Sequence, residues 1–113
     1  MSNVTSAVPL VSPHVRAFTN PSGAGDTQIV AAVAGARYRV LALGMVTTLA
    51  NAVHFRSNTN AISATWPLGA NGGIVLDFCE HGWFETAAGE ALVVNLGTAT
   101  ATGIQLQYIV LPG

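Results

Sequence analysis

Lysine is absent from this chain, and cysteine occurs once. A single Cys excludes an intramolecular disulfide framework. The missing Lys excludes a phosphate loop ending in Gly-Lys-Ser or Gly-Lys-Thr, and no Gly-x-Ser-x-Gly nucleophile elbow is present. Charge of either sign is scarce. Four Arg and five acidic residues make up 8% of 113 positions, against about 25% in an ordinary soluble domain. A net charge of −1 argues against nucleic acid or an anionic membrane as a direct partner. Long apolar runs are missing too, because Gly, Asn, Thr and Arg interrupt every stretch before the ~18 residues of a membrane helix. The N-terminal stretch lacks a basic segment leading into a continuous apolar one, so it does not read as a secretory signal, and Ser2 and the final Leu-Pro-Gly match no lipidation motif.

What remains is half hydrophobic, with a mean hydropathy of +0.49. That is enough apolar material for the core of one domain and leaves no length for a second. A chain so poor in charge stays in solution through Ser, Thr, Asn and Gln, or hides surface in an assembly. A net charge near zero favours association, so a homo-oligomer is expected.

Residues 1–26 differ from the rest. Pro9, Pro13 and Pro21 break up any period of 2 or 3.6 residues, and Val4, Val8, Leu10, Val11, Val15 and Phe18 are scattered among Ser, Thr and Asn. Pro fixes its own φ and biases the residue before it toward extended backbone. The segment reads as an extended arm that orders on a partner surface, because the conformational entropy lost on ordering it needs apolar burial in return. Residues 27–113 read as the folded domain. Short β-type runs are expected at 27–33, 37–49, 52–57, 61–66, 74–78, 83–86, 91–96 and 102–111, separated by turn residues such as Asn58-Thr59-Asn60 and Asn71-Gly72-Gly73. Pro67 is expected to stop one run, and Gly44 to mark a bulge or bend in another. No long amphipathic helix separates the runs, so a parallel α/β sheet is not expected. Seven or eight short strands in about 85 residues fit an all-β sandwich or jelly roll.

The run 37–49 carries apolar residues on both faces if alternation is counted straight through it. Val40, Ala42 and Val46 then oppose Leu41, Leu43 and Met45. Burial on both sides of an antiparallel strand points to a subunit interface.

Residues able to do chemistry are few. Cys79-Glu80-His81 is the densest cluster, and Glu85 and His54 could approach it as further metal ligands, yet no ligand spacing diagnostic of a metal is present. A Cys nucleophile would need a base and an orienting group that the sequence does not supply. No cofactor, metal or catalytic residue is expected. Arg37 and Arg39 flank Tyr38, and Arg56 lies two residues from His54. These read as ion pairs within a sheet or between subunits. Trp66, Trp83 and Phe84 read as core or interface aromatics, with carbohydrate stacking as the alternative.

The segment Trp66-Pro67-Leu68-Gly69-Ala70-Asn71-Gly72-Gly73-Ile74-Val75-Leu76, followed by 82–92 (GWFETAAGEAL) and Asn95-Leu96, resembles small structural proteins encoded by tailed bacteriophages. The resemblance spans roughly residues 29–111. It implies a head decoration (cement) protein: a small β-sandwich or jelly-roll trimer on the outer capsid surface of the virion, bridging major capsid subunits and without enzymatic activity. On that reading Val4, Val8, Leu10, Val11, Val15 and Phe18 form a capsid-facing or neighbour-facing arm, Arg37, Arg39 and Arg56 make polar contacts between subunits, and Trp66, Trp83 and Phe84 pack the core or the trimer. The alternatives are a tail-fibre or baseplate module that binds a glycan, and a small cupin-like metalloprotein.

Overall fold

The computed structural model describes residues 14–113. Ten strands follow one another with no helix between them: β1 (Val15–Thr19), β2 (Gly25–Val30), β3 (Ala36–Thr47), β4 (Asn51–Ser57), β5 (Asn60–Ala61), β6 (Trp66–Leu68), β7 (Gly73–Leu76), β8 (Phe84–Glu85), β9 (Leu92–Leu96) and β10 (Thr102–Pro112). They form two five-stranded antiparallel sheets. The front sheet runs β1-β10-β3-β7, with β8 also on β3. The back sheet runs β2-β9-β4-β5, with β6 also on β4. The chain crosses from one sheet to the other through β1 to β4, and β1 pairs with β10 while β2 pairs with β9. This nested, all-antiparallel pairing is that of a jelly-roll sandwich.

Two of these strands begin within residues 1–26, the segment expected to be an extended arm. Val15–Thr19 is an edge strand of the front sheet, and β2 begins at Gly25. The domain therefore starts ahead of residue 27, and the arm reading applies only to residues 1–13, which lie outside the described residues together with Val4, Val8, Leu10 and Val11. The physical reason is visible in β1. Val15, Ala17 and Thr19 turn toward the core while Arg16 and Phe18 turn to solvent, so hydrophobicity does not mark the faces and no period stands out. The run expected at 61–66 splits into β5 and β6, and Pro67, expected as a stop, sits within β6 opposite Ala52. It is tolerated because β6 lies at the sheet's edge.

The core lies between the sheets. Tyr38, Val40, Leu43, Met45, Ile104, Leu106 and Tyr108 from the front sheet meet Val53, Phe55, Leu92, Val94 and Leu96 from the back sheet. β4 alternates as its sequence requires, with Val53 and Phe55 buried and His54 and Arg56 outward. β3 does not alternate throughout. Gln107 of β10 faces Ala42 and Tyr108 faces Val40, which leaves Leu41 as an extra residue, a β-bulge. The bulge reverses the phase of the strand, so Tyr38 and Val40 share the core face with Leu43 and Met45. The two-sided apolar pattern of this run is thus a phase change within one strand. Gly44, where a bulge was expected, stands in regular pairing between Gln105 and Val75.

Candidate interaction surface

The outer faces of the two sheets differ in chemistry. On the back sheet, Asp26, Asn95 and His54 lie in one cross-strand row. Asn95 Nδ2 donates to Asp26 Oδ1 at 2.8 Å, Arg56 reaches the other Asp26 oxygen at 3.4 Å, and Arg56 Nε donates to His54 Nε2 at 2.8 Å. His54 must be unprotonated at Nε2 to accept that bond. Partial burial and the neighbouring guanidinium of Arg56 lower its pKa, against an opposing pull from Asp26. This face is a polar lattice suited to water.

The outer face of the front sheet has two halves. Arg37 and Arg39 with Glu85 occupy one, and beyond the Leu41 bulge the other is sparsely covered, with Ala42, Gly44 and Val46 facing out beside Arg16, Gln105 and Gln107. Phe18, Gln105, Gly44 and Val75 form one row across β1, β10, β3 and β7. Phe18 and Val75 at its two ends are 77% and 75% exposed, and Val46 and Phe78 nearby are more than half exposed. Between them lies an open trough of about 400 Å³, with Ala42 and Gly44 on its floor. A second depression of about 440 Å³ continues it past Gly103 and Asn20. From β1 to β7 the sheet is three strand spacings wide, about 14 Å. At one end the ring of His14 approaches that of Phe78, with centroids 5.4 Å apart.

The loop after β7 borders this face. Cys79 N–H donates to Leu41 O at 3.0 Å and Trp83 N–H to Val40 O at 2.8 Å, so the loop is laid along the bulged part of β3. Gly82 is required there: its φ is +79° and a Cβ would stand 2.3 Å from Arg39 Cγ. Cys79-Glu80-His81 is held as a turn, with Gly82 N–H donating to Cys79 O. Glu80 and His81 are largely exposed and 4.0 Å apart. Glu85 is engaged elsewhere, and among the described residues no group of three or more His, Cys, Asp or Glu side chains is placed to hold a metal ion.

The remaining candidates separate. Glu85 accepts from Arg37 through one carboxylate oxygen and from Arg39 Nε at 3.0 Å through the other. With Arg56 on Asp26, the three Arg residues assigned to contacts between subunits all make ion pairs within their own chain. Trp66 and Phe84 both meet Phe55, at ring centroid distances of 6.0 and 5.0 Å, and belong to the core wall. Val15 also packs against the core. Trp83 is 48% exposed, its indole N–H donating to Asp77 O at 2.8 Å. Of the described residues assigned to an interface, Phe18 and Trp83 are the two with widely exposed rings. Sequence reasoning missed Val75 and Phe78, and it singled out Val46 only as part of the two-sided run 37–49. Their signal was the apolar outward phase of β7 and of the far half of β3, obscured by the uncounted bulge.

Comparison of the chain with protein-family models, with curated proteins and with solved structures gives no match.

Proposed function

We propose that this chain is a non-enzymatic bacteriophage virion protein: a decoration subunit, homotrimeric, that sits on the outer surface of the capsid and bridges major capsid subunits. The observation that carries this reading is the contrast between the outer face of the back sheet and the trough half of the front sheet's outer face. The back sheet presents a hydrogen-bonded polar row, while the front sheet presents a trough flanked by exposed Phe18, Val46, Val75 and Phe78. Contiguous apolar surface rimmed by polar groups marks interaction sites. On this reading the trough of the front sheet is turned to neighbouring subunits and the back sheet to water. Intrachain pairing of Arg37, Arg39 and Arg56 leaves little positive charge for a phosphate backbone or an anionic membrane, which supports protein partners. The resemblance of residues 29–111 to small structural proteins of tailed bacteriophages suggests the setting.

Mechanically, each trimer adds interface that must be lost before the shell opens. Several modest contacts on one rigid body act together, so attachment is far stronger than any single contact. The test is reconstitution. Purified protein added to capsids that lack it is expected to co-sediment at saturable stoichiometry and to raise their resistance to heat or osmotic shock. Protein that stays in the supernatant, with capsid resistance unchanged, overturns the reading. Binding on a glycan array, centred on exposed Trp83, would favour a host-recognition module instead.

A further inference from the structure

We propose that the trough on the outer face of the front sheet is the docking site for residues 1–13 of a second copy of this chain. Gly44 has no reason within the described chain to be glycine. It stands in regular pairing between Gln105 and Val75, its φ lies outside the left-handed region, and a Cβ built on it meets nothing within 4 Å. Gly103, beside it, would bring a Cβ only to 3.6 Å from Asn20 Oδ1, an ordinary contact. By contrast, Gly73 and Gly82 are forced by backbone or side-chain atoms at 2.1 and 2.3 Å. Glycine inside a strand costs packing and backbone entropy, and it marks places where another backbone approaches closely. At Gly44 that approach comes from outside the described domain.

The chain itself supplies a matching segment. Residues 1–13 contain no charged side chain and hold Val4, Val8, Leu10 and Val11. Extended, they span about 43 Å, several times the ~14 Å width of the sheet. They join the described chain at His14, whose ring lies against Phe78 at one end of the trough. Their length allows entry into their own trough or a neighbour's, and the near-zero net charge of the chain, which favours association, points to the neighbour. A segment seated in its own trough would leave the protein at the mass of one chain. The contact with a neighbour is head-to-tail, and a ring of copies closes it. The inference rests on the homo-oligomer part of the proposed function and not on the capsid.

The experiment is solution mass by light scattering on full-length protein without capsids. Wild-type chain is expected at a multiple of 11.6 kDa. Gly44→Arg fills the trough where no atom stands in the way, and a Val8→Asp/Leu10→Asp double variant disables the segment outside the folded domain. Each alone is expected at the mass of one chain, with a wild-type unfolding transition. An equal mixture is expected to give a two-chain species, because one variant retains the segment and the other the trough. A monomeric wild type, a variant that keeps the wild-type mass, or a mixture that stays at one chain overturns the proposal. Failure to bind capsids leaves all these masses unchanged, so the two readings fail separately.

Discussion

Phe55 and Phe84 stack across the sandwich, one from each sheet, with ring centroids 5.0 Å apart and planes inclined by 27°. Phe55 is fully buried in β4, while Phe84 is half-buried in the two-residue strand β8. Trp66 closes on Phe55 edge-on. Two short peripheral strands, β6 and β8, are thereby tied to one central ring. Phe55→Ala is expected to cost about 3–5 kcal/mol, the range for a buried aromatic, and Phe84→Ala less. The double variant should show a coupling of about 0.5–1.5 kcal/mol beyond additivity. Urea unfolding of the four proteins measures this, and additivity within error would mean that the stack contributes only through area.

Glu85 faces Arg39 directly across the β8–β3 pair and also takes Arg37. The three side chains are about one-third exposed, so each pair alone is a modest contributor, about 0.2–1 kcal/mol. Removing the shared carboxylate loses both pairs and leaves two guanidinium groups close together. Glu85→Gln is therefore expected to cost about 0.5–2 kcal/mol, more than Arg37→Gln, which loses one pair. The difference should shrink as salt is raised, since screening acts on exposed charges. Equal losses for the two variants, unaffected by salt, would show that the pairs do not hold β8 to the sheet.

His54 gives the protein an acid-side dependence of stability. Its pKa is lowered from 6.5 by burial first and by Arg56 second. The unfolded chain therefore binds the proton more readily than the folded one, and stability rises with pH across the window between the folded pKa and 6.5. The contribution is fully present above 6.5 and is lost as pH falls through that window. Protonation also removes the acceptor for Arg56 Nε. His54→Gln should flatten this part of the stability profile, measured by thermal unfolding at a series of pH values. A slope unchanged by the substitution would assign it to other groups.

The pattern of β4 was legible because Val53 and Phe55 alternate cleanly with His54 and Arg56, and the core confirms every one of those directions. β1 was not, because its outward residues include Phe18 and its inward ones include Ala17 and Thr19. Local hydrophobicity cannot identify a strand whose larger apolar ring points away from the core. The ion pairs were half legible. The Arg side chains could be singled out, but Glu85 lies 46 and 48 residues away from Arg39 and Arg37, and that pairing depends on β8 returning to β3. The trough half of the outer face required the strand order, since its central row joins residues from β1, β10, β3 and β7.

Leu41 is the residue on which the phase of β3 turns. It is 1% exposed yet lies outside the main core cluster, at the point where the register against β10 shifts. Because side chains in a strand alternate with a period of two, removing one residue transfers everything on one side of it to the opposite face. Deleting Leu41 would either bring Arg37 and Arg39 into the core and turn Tyr38 and Val40 outward, or pull the Arg37 and Arg39 pairs off Glu85. Uncompensated burial of two guanidinium groups costs several kcal/mol each, a large share of the about 5–15 kcal/mol that stabilises a domain. The deletion is therefore expected to abolish cooperative unfolding, seen by circular dichroism and amide exchange, whereas Leu41→Ala, which keeps the count, should leave a weakened but cooperative transition. A deletion variant as stable as Leu41→Ala would show that the bulge does not set the register of the front sheet.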